Sequence, residues 1–588
     1  MAQVFVTPHT PSERAASPPF AWWVDVLLAL VVAALAYGIV SLASRWAQPL
    51  TPSVAISLSP TALPGYAALS TLRMAIAYVV AVAFSIVYAR LAASSRRAER
   101  VMIPLLDILQ SIPILSFMPG IVLGLVALFP RSNLGLELAA IVLIFTSQAW
   151  NIAFGFHQAL VTIPRELSES ATIYRLSLWD RFTRLELPFG AIPLIWNSML
   201  SWAGGWFFLM ASEQFTLGDK DFRVPGLGSY LQSAANAGNI GALFLGLGTL
   251  VIVVVLLDQL LWRPLVAWSE RFKFEQTEAA ETAHSAILMA LRRSAALHWL
   301  AEHLVGPAST WLDRRLSRRF RRTTPTAPFS GTDYRPPRWR PSVLLGWIIG
   351  LVILGATFWG ASGAVGLLAS VGSDGWAALG VGALATFGRT AAALAIGAAW
   401  TVPVGVLIGM NPRWAHRIQP LVQVVASIPA TALFPALLLI LLGLPGGLEL
   451  AAVALMLLGT QWYILFNVIA GAMAMPTDLR EAAAIYKLTG WRRWRTLILP
   501  GIFPYLITGL ITATGGAWNA SIVAEYVTFG NQTYQAVGLG AAIAAAANAA
   551  NFPVLLAGTL LMAAIVIAVN RLLWRRLYRL AEQRYRLD

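Results

Sequence analysis

The chain contains no cysteine, so it has no disulfide framework, no thiol nucleophile and no thiolate metal ligand. Its six histidines are scattered without an H-x-x-x-H pair, and no convergent His/Asp/Glu set of the kind a metal or acid–base site needs is visible. A G-x-x-x-x-G-K-[ST] stretch is missing too, which excludes the usual phosphate-cradling loop. Charge is scarce: 12% of residues are charged, 58% are hydrophobic and the mean hydropathy is +0.68. That balance excludes a soluble domain and defines an integral membrane protein. The net charge of +15 lies mostly in short loops beside apolar runs, as the positive-inside rule distributes it, so nucleic acid is not the expected partner. The N-terminus shows no signal-peptide cleavage pattern, and its first apolar run is expected to stay as a helix.

Crossing a membrane takes about 20 apolar residues. Six such runs fall in each half, at 22–43, 67–92, 103–129, 136–160, 188–213 and 240–265, then 343–366, 378–409, 418–443, 447–472, 500–523 and 553–576. The chain is therefore expected to be all-α, with about 12 transmembrane helices. Ser94–Arg100 and the tail after Trp574 are basic, whereas Pro130–Glu137 and Leu444–Glu449 carry almost no positive charge. An even number of spans with both termini in the cytoplasm satisfies this pattern. Residues 1–265 and 343–588 are expected to be two membrane units. Residues 266–342 between them read as a cytoplasmic linker, helical at first and then rich in Pro and Arg.

The two units are copies. E-S-A-T-I-Y-R-L-S-L-W-D-R-F-T-R-L-E-L-P, ending at Pro188, answers E-A-A-A-I-Y-K-L-T-G-W-R-R-W-R-T-L-I-L-P, ending at Pro500, at an offset of 312 residues. Arg73 matches Arg389, Ser111-Ile112-Pro113 matches Ser427-Ile428-Pro429, and Pro119 matches Pro435, at an offset of 316. Gln148 pairs with Gln461, Gly204-Gly205 with Gly515-Gly516, and Gly226-Leu227-Gly228 with Gly538-Leu539-Gly540. Two units of six spans running in the same sense are parallel repeats, with a substrate path expected between them. The repeated loop reads as helix, turn, helix. Glu169 and Glu481 fall in the first helix, and the small Ser170, Ala171, Ala482 and Ala483 beside them would let another backbone come close. Tyr174, Tyr486, Trp179 and Trp491 supply large interface anchors.

This loop resembles the E-A-A motif of binding-protein-dependent ABC importer permeases, whose pattern ends in I-x-L-P. The S-I-P element, the G-G-x-W stretch and the glutamates after it resemble the nitrate/sulfonate/taurine subfamily. The likeness covers about 68–265 and 384–576. The family's glycine, however, is Arg175 in the first loop and Lys487 in the second, so the turn is expected to differ or to move to Gly490. The resemblance implies two repeats of the type I importer permease fold. It also implies that the loops, including Pro188 and Pro500, dock two separate ABC ATPase subunits. ATP and Mg would be held on those subunits, with no cofactor in this chain. An external binding protein would deliver the substrate, and the place would be the bacterial inner membrane. The substrate suggested is a small anion such as nitrate, a sulfonate or an organic acid. The rival reading is a secondary transporter with six plus six parallel repeats, which would expect a carboxylate or Na⁺ cradle near the midplane.

Ionisable groups within spans are functional candidates by default. Arg73 and Arg389 enter near the outer end of the second span of each half, and Glu213 and Glu525 near the outer end of the fifth. They are expected to pair, within or between halves, near an outer gate; the alternatives are attraction of an anionic substrate by the arginines and snorkelling to the interface without partners. Trp206, Trp518 and Asn519 are pathway candidates.

Overall fold

In lipid every backbone polar group must find its partner inside the chain, which is why the apolar runs fold as helices. The computed structural model describes residues 55–272, 306–319 and 364–584 apart from 112, 131, 218, 219, 427, 476, 530 and 531, and also 289, 299, 302 and 303. In the first half the main helices are α1 (Leu63–Ala93), α2 (Arg96–Ser111), α3 (Ile114–Leu128), α4 (Leu134–Val161), α5 (Arg165–Ile173), α6 (Leu178–Arg181), α7 (Ala191–Ser212), α8 (Leu227–Asn236) and α9 (Ile240–Leu257). Linker helix α10 is Gly306–Arg319. The second half repeats the order as α11 (Ser373–Gly409), α12 (Pro412–Ala426), α13 (Ala430–Leu441), α14 (Gly447–Met473), α15 (Thr477–Ile485), α16 (Gly490–Arg493), α17 (Leu499–Ala524), α18 (Leu539–Asn548) and α19 (Phe552–Val569).

Seven helices among the described residues are long and apolar enough to cross a membrane. With α7, the counterpart of α17, and the shorter α3 and α13, they account for the predicted spans except 22–43 and most of 343–366, which lie outside the described residues. The third span of each half is not continuous as expected. Proline lacks the N–H that would continue the helix. Pro113 and Pro429 stand extended at ψ 123° and 129°, so each apolar run divides, into α2 and α3 or into α12 and α13. The break lets the short helices cross over. The Ile114 amide donates to Asn519 Oδ1 at 2.6 Å, and Leu115 packs in a core with Trp518 and Leu539. Ala432 of α13 packs in the opposite core with Trp202 and Tyr230. The two halves are thus locked by exchanged short helices.

The structure also corrects the residue matching. Helices α4 and α14 end at Val161 and Met473, and α7 and α17 end at Ser212 and Ala524, all 312 residues apart. Gln148 is therefore equivalent to Thr460, and Gly204 to Gly516, one position away from the identity match. Two hairpins, Gln214–Leu217 with Lys220–Arg223 (β1, β2) and Tyr526–Phe529 with Gln532–Gln535 (β3, β4), follow the fifth spans and were not foreseen. The alanine-rich run 541–550 forms most of α18, a ten-residue helix too short to span.

Candidate functional site

Each half carries a buried polar clamp at the end of its fifth span. Arg73 is fully enclosed in α1. Its Nε and Nη2 donate to Glu137 at 2.5 and 3.0 Å, its Nη1 to Glu213 at 2.6 Å and its Nη2 to the Pro225 carbonyl at 2.7 Å. Ser70 Oγ donates to Glu213 at 2.6 Å and accepts from the Leu227 amide at 2.9 Å, while the Gly228 amide donates to Glu213 at 2.7 Å. The second clamp repeats the pattern. Arg389 bonds Glu449, donates to Glu525 at 2.7 Å and reaches the Val537 carbonyl at 2.8 Å, with Thr386 in the place of Ser70. A Cβ on Gly226 or Gly538 would overlap the glutamate carboxylate, so the G-L-G element exists for close approach. One guanidinium thus ties the second, fourth and fifth spans to the start of α8 or α18. Arg73 meets Glu213 and Arg389 meets Glu525 within one half, not across the halves. Sequence reasoning missed Glu137 and Glu449, which stand where the outer loops run into the fourth spans, 312 residues apart. The clamps also differ in the exposure of the fourth-span glutamate: Glu137 is 2% exposed and Glu449 51%.

Between the halves lies a cavity of about 430 Å³, lined by Trp202, Trp206, Phe207, Trp462, Tyr463 and Asn519 among others. Trp206 and Asn519 are on its wall. Trp518 is not among the lining residues; it is buried in the core against Leu115 and Leu539. Asp258 also lines the cavity and pairs with Arg263 at 3.3 Å.

The repeated loops lie at the other end of the spans. Glu169 and Glu481 are exposed on α5 and α15, and Tyr174 and Tyr486 are each 78% exposed. Ala171 and Ala483 are 4% exposed and pack inward, so the second small residue of the motif serves the loop's own seating and not a partner's approach. Ser170 is exposed and Ala482 half-buried, as are Pro188 and Pro500. The turn has not moved. Arg175 and Lys487 hold φ of +48° and +52°, the left-handed conformation that glycine adopts freely, at the positions where the motif has glycine. Gly490 takes +51° further on. A β-branched residue in that conformation is strained. Lys487→Val is therefore expected to weaken the loop by about 1 kcal/mol while Lys487→Gly leaves it intact. Hydrogen exchange of the 477–493 amides would read the difference.

Two asymmetries follow. In the first half, Glu186, fully buried, pairs with Arg90 Nε at 2.8 Å, and the Arg90 guanidinium lies 5.0 Å from the Phe182 ring centroid. At the equivalent positions stand Val406 and Ile498, both in one apolar core. Second, Trp179 is half-buried because its Nε1 donates to Asp313 Oδ1 of α10 at 2.8 Å, whereas Trp491 is 71% exposed. Each loop runs into its fifth span through a π-helical turn, Phe182–Glu186 and Trp494–Ile498.

Two parallel bundles of apolar helices, an aromatic cavity between them and a repeated amphipathic loop define a membrane permease. The model of the family described as binding-protein-dependent transport system inner membrane component matches residues 81–261 and 401–587, and the chain belongs to that family, as a fused and duplicated member with two six-helix repeats of the type I permease fold. Similar proteins include the nitrate import permease protein NrtB of Synechocystis, 28% identical over 152 residues, covering 26% of this chain and 54% of the relative. The bicarbonate transport system permease protein CmpB of Synechococcus elongatus is 30% identical over 148 residues (25% and 51%), and the putative aliphatic sulfonates transport permease protein SsuC of Bacillus subtilis 26% over 137 (23% and 48%). The chain spans about half the length of the curated relatives it matches.

Proposed function

We propose that this chain forms the transmembrane pathway of an ATP-driven importer in the inner membrane, with both termini cytoplasmic. Two ABC ATPase subunits, which hold ATP and Mg, would dock on the loops around Glu169 and Glu481. An external binding protein would deliver solute to the end that carries the clamps and hairpins. The observation that carries this reading is the repeated loop itself. Two copies, 312 residues apart, expose the same glutamate, isoleucine and tyrosine edge, and no core requires Ile173 or Ile485 to stand 76% and 78% exposed. Closure of the ATPase pair would move α5 and α15. The π-helical turns behind them offer a place for helical register to change, and the rigid clamps would carry the motion to the outer end. Coupling of this kind is a differential free energy between inward and outward states.

The relatives' names and the earlier resemblance put a small anion first among substrates. The tryptophan, phenylalanine and tyrosine walls of the cavity support an organic acid or sulfonate with an apolar body over a bare inorganic ion. Glu169→Arg combined with Glu481→Arg is expected to leave the chain inserted and stable but to abolish ATPase recovery and transport. Retention of both would end the docking reading.

A further inference from the structure

Among the described residues, the interhalf linker meets the first loop through α10. Helix α10 packs on α6, and Asp313 Oδ1 holds the Trp179 indole at 2.8 Å. Trp179 thereby loses the exposure that Trp491 keeps in the second loop. In covering one tryptophan the helix presents another: Trp311 is 59% exposed, and the Arg315 guanidinium lies 5.0 Å from its ring centroid, with Arg314 also exposed. The uncovered second loop shows the same chemistry, Trp491 with exposed Arg492 and Arg495. A protein that meets an indole flanked by guanidinium groups at one loop therefore meets an indole flanked by guanidinium groups at the other, supplied by the linker.

We propose that α10 is part of the first docking site: the ATPase subunit bound there contacts Trp311 and Arg315 of the linker in place of Trp179. This rests on the reading that the loops dock ATPases. The chemistry on the partner is an acidic rim around an apolar notch, because an exposed Arg–Trp pair is satisfied by carboxylates and an apolar face together. Both loops present this chemistry, so one kind of ATPase subunit suits both. The linker is then more than a tether, since it makes the first site a three-helix surface.

The test uses the full chain in lipid nanodiscs and the ATP-binding subunit recovered with it. Glu481→Arg restricts binding to the first loop, and Glu169→Arg restricts it to the second. Adding Trp311→Ala with Arg315→Glu is expected to raise the dissociation constant at least about tenfold on the first background, corresponding to about 1.4 kcal/mol, and to leave it unchanged on the second. Asp313→Ala, which frees the helix from Trp179, is expected to weaken the first site alone. Both sets of changes lie on exposed or half-buried positions, so folding is not at stake. Unchanged affinity at the first site, or an equal change at both, overturns the proposal. Tighter binding after Asp313→Ala also overturns it and makes α10 a competing cover. Unchanged affinity with anionic-lipid-dependent shielding of Trp311 from a soluble quencher overturns it and assigns the helix to the membrane surface. If the unmodified chain recovers no ATP-binding subunit, the docking reading itself falls, and this one with it.

Discussion

Arg73→Leu is expected to destabilise the inserted protein by about 3–5 kcal/mol, the largest effect of any single change considered. The substitution leaves Glu137 and Glu213 side by side with no cation, both essentially sealed from solvent. Burial that is tolerable for a bonded triad is costly for the carboxylates alone. The lost bonds also release the Pro225 carbonyl and loosen the start of α8. Arg389→Leu removes the same group from the other half but is expected to cost less, because Glu449 is 51% exposed and can take up water or a counter-ion. Reversible SDS titration of the two variants in mixed micelles gives the comparison. Equal losses would contradict the role assigned to Glu449 exposure.

The second large effect is at the seat of the first loop. Arg90→Val alone takes the guanidinium away from Glu186, which is fully buried, and is expected to cost about 3 kcal/mol and to unseat the loop from α1. Arg90→Val with Glu186→Ile installs the pair that the second half already uses, Val406 and Ile498, and is expected to recover most of that loss. The cycle thus separates a seat that needs charge from one that needs only filling. Thermal unfolding gives the stability, and hydrogen exchange over Arg165–Ile173 shows whether the loop is held. If the double variant is no better than Arg90→Val, the two halves do not solve the same packing problem.

Much of the architecture was legible because a repeat declares itself twice. The spans follow from apolar length, and the loops from a polar stretch copied without a gap. The break in the third span was harder to read, since Ile112 and Ile114 keep the run apolar and, of the prolines in it, Pro104 and Pro119 sit inside helices and Pro113 stands extended. Glu137 and Glu449 were missed because each begins a helix beside a short loop, where a carboxylate is ordinary; their partner arginines lie 64 and 60 residues away. Identity also misled. Gln148 and Gln461 look like a pair, yet the ungapped helices place Gln148 opposite Thr460. The cover over Trp179 comes from Asp313, 134 residues distant in a segment whose charge pattern suits water as well as protein. The strained turn at Arg175 and Lys487 shows that tertiary seating can hold a backbone conformation without the residue that favours it.

The most direct test of the account is purification of the full chain from its native membrane under mild conditions, with the subunit ratio and ATP hydrolysis measured on the product. The account predicts an ATP-binding-cassette protein at about two per chain, hydrolysing ATP, and lost when Glu169 and Glu481 are both replaced by arginine. A chain that purifies alone and moves solute on an ion gradient would contradict it.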